Sequence, residues 1–168
     1  VAGEQVGEDR VDRILEQWAQ ERPDLDASPL GVIGRLHRVA EMLDEELSVV
    51  FRQAGLGRGD FDVLATLRRA GAPYELSAGD IASRTMVTSG ATTKRVDRLA
   101  ALGLVERRRA EGDARSRQIR LTDSGVTLID ELVEVHLVNE HRLVAMLPEA
   151  DRAALARILK AWGLALRG

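Results

Sequence analysis

Apolar residues recur every three or four positions along most of this chain, and the spacing gives way to alternation in one region only. After Val1 to Gly7, which carry no pattern and read as disordered, Val11, Ile14, Leu15 and Trp18 predict a short amphipathic helix ending near Arg22-Pro23. Pro23 to Pro29 is rich in turn formers, with Ser28 placed as N-cap and Pro29 as the first residue of the next helix. That helix runs to about Ala54. Ile33, Leu36, Ala40, Leu43, Leu47, Val50 and Ala54 form an unbroken seam along it, suited to packing lengthwise against another helix. Gly55-Leu-Gly-Arg-Gly59 follows a helix and lacks the spacing of a phosphate-cradling loop, so Gly55 reads as a helix C-cap and the rest as a connector. A helix from Asp60 to Ala70 buries Phe61, Leu64 and Leu67.

The next stretch has a different order. Ser77 caps a short helix with Asp80 three residues on, and after a break at Thr85 to Val87 a second helix opens at Thr88 and ends at Gly103. Val96, Leu99 and Leu102 anchor its inner face. Leu104 to Arg109 and Ser116 to Leu121 alternate as strands around a loop, Ala110 to Arg115. Helix, turn, helix and hairpin in that order predict a winged helix-turn-helix. Thr122 then opens a long helix to about Leu147, and Pro148 starts a last one with Leu155, Ile158, Leu159, Trp162 and Leu166 on one face. The fold class is therefore mainly α with a small β-wing. Its parts are an N-terminal extension (residues 1–28), a dimerisation helix (29–57), a winged helix-turn-helix lobe (58–122) and C-terminal dimerisation helices (123–168).

Charge sharpens this picture. The chain carries a net charge of −3, yet Asp80 to Arg120 holds ten Lys/Arg against five Asp/Glu. The basic stretch coincides with the winged unit, and a local positive field is what phosphate binding requires. In the second helix of that unit Thr88, Ser89, Gly90, Thr92 and Thr93 let the backbone approach a groove, while Lys94 and Arg98 reach phosphate or base edges. Arg115 stands where a wing enters the minor groove, with Arg117 beside it and Asp113 placed to hold the Arg115 guanidinium. Within Arg107 to Arg109, alternation lets at most part of the run face one DNA backbone. The competing reading of the same unit is a protein-binding winged helix without operator recognition.

No cysteine is present, which excludes disulfides, thiol catalysis and cysteine-based zinc sites. His136 and His141 are poorly spaced for two ligands on one helical face and read as packing or interface residues. Neither a nucleophile motif nor a metal cluster stands out, so no catalysis, cofactor or metal is expected. With no leader-like segment and no apolar run of membrane length, a soluble cytoplasmic protein is expected.

Asp113-Ala-Arg-Ser-Arg-Gln-Ile-Arg-Leu-Thr-Asp-Ser-Gly125 resembles the wing signature of the MarR family of transcriptional regulators, an Asp-x-Arg followed by a strand and Leu-Thr-x-x-Gly. Leu99-Ala-Ala-Leu-Gly-Leu-Val105 is similar to that family's recognition-helix exit, and the likeness spans about Leu30 to Leu166. The resemblance implies a homodimer on a pseudo-palindromic operator, acting as a repressor and relieved by a small-molecule effector. Arg95, on the inner stripe of the recognition helix, is costly there unless paired, and Asp62 between Phe61 and Val63 is a plausible partner. The two either form a structural pair or bind a ligand. Together with Trp18 they resemble the urate-responsive branch of the family, in which a tryptophan, an aspartate and a recognition-helix arginine surround an anionic heterocycle. The chain departs from that pattern where an asparagine is expected, having Arg68-Arg-Ala70 instead. The effector implied is therefore a small aromatic or anionic molecule.

Overall fold

The computed structural model describes residues 7–85, 92–110 and 113–168, with backbone alone for 109, 110 and 113–116. The chain divides into two compact units, Val1–Glu46 and Leu47–Gly168. Helix α1 (Arg10–Glu21) and most of helix α2 (Leu30–Gln53) make the first unit. Asp9 caps α1: its Oδ1 accepts from the Val11 and Asp12 backbone N–H groups at 2.7 and 3.0 Å, and Asp12 reaches back to the Asp9 N–H at 2.9 Å. Arg35 of α2 donates to Asp9 at 2.8 Å and also to Asp12, which ties the start of α1 to α2. Val11 is buried where α2 presents Gly34.

The second unit contains the end of α2, helix α3 (Arg58–Arg69), strand β1 (Glu75–Ser77), helix α4 (Ala78–Arg84), helix α5 (Thr92–Ala101), strand β2 (Val105–Ala110), strand β3 (Asp113–Leu121), helix α6 (Asp123–Val144) and helix α7 (Glu149–Ala165). The strands form one antiparallel sheet in the order β1-β3-β2. The predicted order of helices and hairpin strands is the observed one, with β1 added as a third strand of the sheet, and the fold is mainly α with a β-wing. Boundaries differ by a few residues, at two places for a reason the structure shows. Helix α3 starts two residues earlier than expected, because Gly57 takes the N-cap position and Asp60 at N3 accepts its N–H at 2.9 Å. Strand β3 starts at Asp113, in what the residue pattern placed in the loop: Asp113 stands opposite Ala110 and Arg117 opposite Arg109, with a shift of register between the two pairs. A bulge lets the chain resume pairing beyond an interruption, and a polar sequence does not stop it.

Phe51, Val63, Leu64, Leu67, Ile81, Val96, Leu99, Ile119 and Ile129 form the core of this unit. Phe51 stacks on Phe61 with centroids 4.4 Å apart, and the His136 ring packs against both at 5.2 and 4.8 Å. Leu102, expected on the buried face of α5, is 52% exposed: the helix ends at Ala101 and the chain turns away at Gly103. Gly55 and Gly103 both take positive φ, 70° and 71°, and each is followed by a residue whose N–H closes the helix onto a carbonyl five residues back. Both are C-caps built on the left-handed conformation that glycine adopts without strain.

At the exit of α5 four elements meet. Thr122 Oγ1 donates to the Gly103 carbonyl at 2.7 Å and accepts the Gly125 N–H at 3.0 Å, so one hydroxyl caps α6 and holds the turn that ends α5. The Thr122 N–H donates to the Leu104 carbonyl at 3.1 Å. A Cβ at Gly125 would overlap that same Leu104 carbonyl oxygen, so α6 packs this closely only because Gly125 has no side chain. Helix α7, by contrast, buries none of its described residues: Leu155, Ile158 and Leu159 are 41, 50 and 42% exposed.

Gly125→Ala should lower the stability of the protein by about 1–3 kcal/mol, read as a shift of the urea midpoint, since the obstructing atom is backbone and cannot rotate away. The first unit should respond to pH. The Arg35 guanidinium, and then the Asp12 and Val11 N–H groups, hold the Asp9 carboxyl down at about 2 against an ordinary 3.8. A depressed carboxyl stabilises above its unfolded value and loses that contribution as pH falls through the folded one, so the anchoring of α1 should be complete above about pH 4 and lost towards pH 2. Trp18 fluorescence in a Trp162→Phe background follows it, and Asp9→Ala should show the loosened state already at neutral pH.

Candidate nucleic-acid interface

Helix α4 is set by Ser77, whose Oγ accepts the Asp80 N–H at 3.0 Å and donates to the Asp80 carboxylate at 2.6 Å, the capping pair expected from the residue spacing. Helix α5 lies against α3 and α4 through Val96 and Leu99, which are 2% and 0% exposed. Of the residues expected at its DNA-facing start, Thr88, Ser89 and Gly90 lie outside the described residues. Thr92 is buried, at 4% exposure, and so cannot offer its hydroxyl to a phosphate: it shares the inward stripe of Val96 and Leu99. Thr93 and Lys94, the next two, are exposed.

Arg98, with a side chain 54% exposed, is engaged within the protein. Its Nη2 donates to the Gly55 carbonyl at 2.7 Å and its Nη1 stands 3.3 Å from the Asp60 carboxylate. Asp60 is buried, with a side chain 5% exposed, and also holds the Gly57 N–H. The residue pattern drew attention to Asp62 for its apolar neighbours, but the carboxylate buried in front of α5 is Asp60; Asp62 is half-buried. The signal for Asp60 was its position three residues after Gly57, the spacing of an N-cap to N3 reach-back.

Arg95 lies half-buried across the first turn of α3, where a Cβ at Gly59 would overlap its guanidinium. Its Nη1 is buried and meets no hydrogen-bond acceptor among the described residues. An open cleft of about 460 Å³ runs here between the start of α3 and α5, lined by Gly57 to Asp60, Lys94, Arg95 and Arg98. Asp62 is not among its lining residues. Trp18 belongs to the first unit and is 45% exposed. Arg68, in the stretch that departs from the urate-responsive pattern, donates to Asp130 at 2.7 and 3.1 Å and lies 4.7 Å over the Tyr74 ring, so it has a structural task.

On the wing, Arg107 donates to Asp97 of α5 at 2.6 Å and Arg108 pairs with Glu106 at 3.4 Å, so neighbouring arginines serve different surroundings, as the alternation implied. Arg117 is exposed and has no ion pair among the described residues. In the ladder Arg117 stands opposite the backbone of Arg109. The backbone of Asp113 and Arg115 belongs to β3; their side chains lie outside what is described. A second cleft of about 350 Å³ separates α5 from the sheet, with Val96 and Ile119 within it and Thr93, Arg107 and Arg117 around it. No cluster of metal-ligating side chains exists among the described residues, and no described helix is long and apolar enough to cross a membrane.

The fold that carries these residues has counterparts. A MarR family model matches residues 54–116, from the α2–α3 turn to the wing. The chain is 43% identical to the HTH-type transcriptional regulator PecS of Dickeya dadantii (strain 3937) over 149 residues, 89% of this chain and 90% of that one. Among solved structures, AbsC of Streptomyces coelicolor, a MarR family transcriptional regulator, superimposes with a TM-score of 0.75 at 23% identity, covering 86% of this chain and 97% of its own. BpsR of Bordetella bronchiseptica, whose DNA binding is regulated by 6-hydroxynicotinic acid, gives a TM-score of 0.69 at 23% identity over 80% of this chain and 94% of its own. The 43% identity over nearly the whole of both chains, together with the family model's match, decides the matter: the chain belongs to the MarR family of transcriptional regulators.

Proposed function

We propose that this regulator is a repressor that binds a pseudo-palindromic operator in double-stranded DNA as a homodimer and is released by a small anionic or aromatic effector. The observation that carries the DNA reading is the segregation of charge: a chain of net −3 places ten cations against five carboxylates between Asp80 and Arg120, the stretch that forms α4, α5 and the wing. Thr93 and Lys94 approach the major groove together with Thr88, Ser89 and Gly90, while Arg115 and Arg117 of the wing reach the flanking minor groove and phosphates.

Pairing of two copies is supported by the apolar residues a single chain leaves open. Leu155, Ile158 and Leu159 fall on one side of α7 at helical spacing, and Val135 and Val138 of α6 are 51 and 70% exposed. Isolated exposed leucines are ordinary, but such a run marks an interaction face. The effector reading rests on Arg95, a guanidinium with a buried Nη1 that lacks an acceptor, in a cleft where Arg58, Lys94 and Arg98 add positive charge. An anion entering there would supply the missing acceptor. The relation of BpsR to 6-hydroxynicotinic acid makes an anionic heterocycle a suitable first probe.

Affinity for a duplex selected by the protein from random-sequence DNA should fall steeply with salt, and Lys94→Ala and Arg117→Ala should each flatten the log–log slope by about 1. The same material should sediment as a dimer. A salt-independent, or absent, DNA interaction would favour the protein-binding winged helix instead. Arg95→Ala should keep operator binding within a few fold yet lose release by 6-hydroxynicotinate or urate, and Gly59→Ala, which displaces the same guanidinium, should weaken that release in parallel. Fluorescence anisotropy of labelled duplex with and without the two compounds measures both; full release from Arg95→Ala would rule this site out.

A further inference from the structure

We propose that Arg98 is a positioning residue that latches the recognition helix to the α2–α3 turn and makes no contact with DNA; this rests on the DNA-binding reading above. Its guanidinium bridges two groups that belong to the scaffold, donating to the Gly55 carbonyl at 2.7 Å and standing 3.3 Å from the Asp60 carboxylate. Neither partner is free to follow a moving arginine. The Gly55 carbonyl belongs to the left-handed cap that ends α2, and Asp60 is buried and engaged with the Gly57 N–H at the start of α3.

The latch acts on the second half of α5, one turn from its end, while Leu99 beside it packs in the core at 0% exposure. Packing of Val96 and Leu99 sets which face of the helix turns inward, and the latch adds a second, polar constraint on its rotation. A planar fork held at two separate acceptors fixes that rotation. The rotation of α5 in turn decides where Thr93 and Lys94 point. An arginine on the exposed part of a recognition helix looks like a phosphate contact in sequence; here it is occupied before any DNA arrives.

The two roles make opposite predictions for Asp60. If Arg98 reached for a phosphate, Asp60→Asn would free it and tighten binding. As a latch, the same change weakens binding. On the duplex selected by the wild-type protein, Arg98→Ala and Asp60→Asn should each lower affinity about 10-fold, and the double variant should be no worse than Arg98→Ala alone, the mark of two residues in one interaction. The salt slope should stay at the wild-type value, whereas loss of a phosphate contact lowers it by about 1. Arg98→Lys keeps the charge but not the fork, and it keeps the measurement decisive should the alanine variant unfold. It loses affinity as a latch and binds as wild type if it served as a point charge. A flattened slope, tighter binding by Asp60→Asn or unchanged affinity in Arg98→Lys overturns the assignment. Wild-type protein that selects no duplex at all would refute the DNA reading itself.

Discussion

The joint at the exit of α5 depends on one atom that is not there, the Cβ that any other residue would bring at Gly125. Because Gly125 has no side chain, α6 closes onto the Leu104 carbonyl, and Thr122 can cap α6 while gripping the turn at Gly103. The end of α5, the start of β2, the end of β3 and the start of α6 are thereby fixed at one point. The Leu-Thr-x-x-Gly of the wing signature is thus a geometric requirement. The threonine must reach two backbone groups at once, and the glycine must admit a carbonyl.

From this joint the reading surface extends in two directions. Along α5, Val96 and Leu99 hold one side in the core, so Thr93 and Lys94 are turned outward. Along the hairpin, the register sets Arg117 against Arg109 and Arg107 against Ile119, and Arg107 ties the sheet back to α5 through Asp97. The cations in this region are thereby sorted. Arg98 and Arg107 hold the unit together, while Lys94 and Arg117 have no ion pair among the described residues. Net charge expresses none of this sorting.

Much of the architecture could be read from the residues because local signals agreed. The apolar spacing marked the helices, Gly55 and Gly103 marked their ends, and Ser77 and Thr122 marked their starts. Finer features were lost where one residue type serves two ends. Thr92 looks like a groove-facing hydroxyl, yet it lies four residues before Val96 and seven before Leu99, a spacing that already assigned it to the buried stripe. Asp60 and Asp62 flank Phe61 and stand about 200° apart around the helix axis, and only the reach-back to Gly57 tells which is buried. The task of Arg98 could not be read at all, since its acceptor at Gly55 is a backbone carbonyl 43 residues earlier and carries no side-chain signature.

Helix α7 has a consequence for how such a protein exists in a cell. A helix that buries none of its own described residues gains little from its own chain, so its order must be supplied by whatever covers it. When the cover is a second copy, folding and association merge into one equilibrium, and abundance enters the stability of every molecule. A scarce regulator of this construction then loses structural integrity along with occupancy as it is diluted, which gives the cell a sharper threshold than a tight monomer could provide.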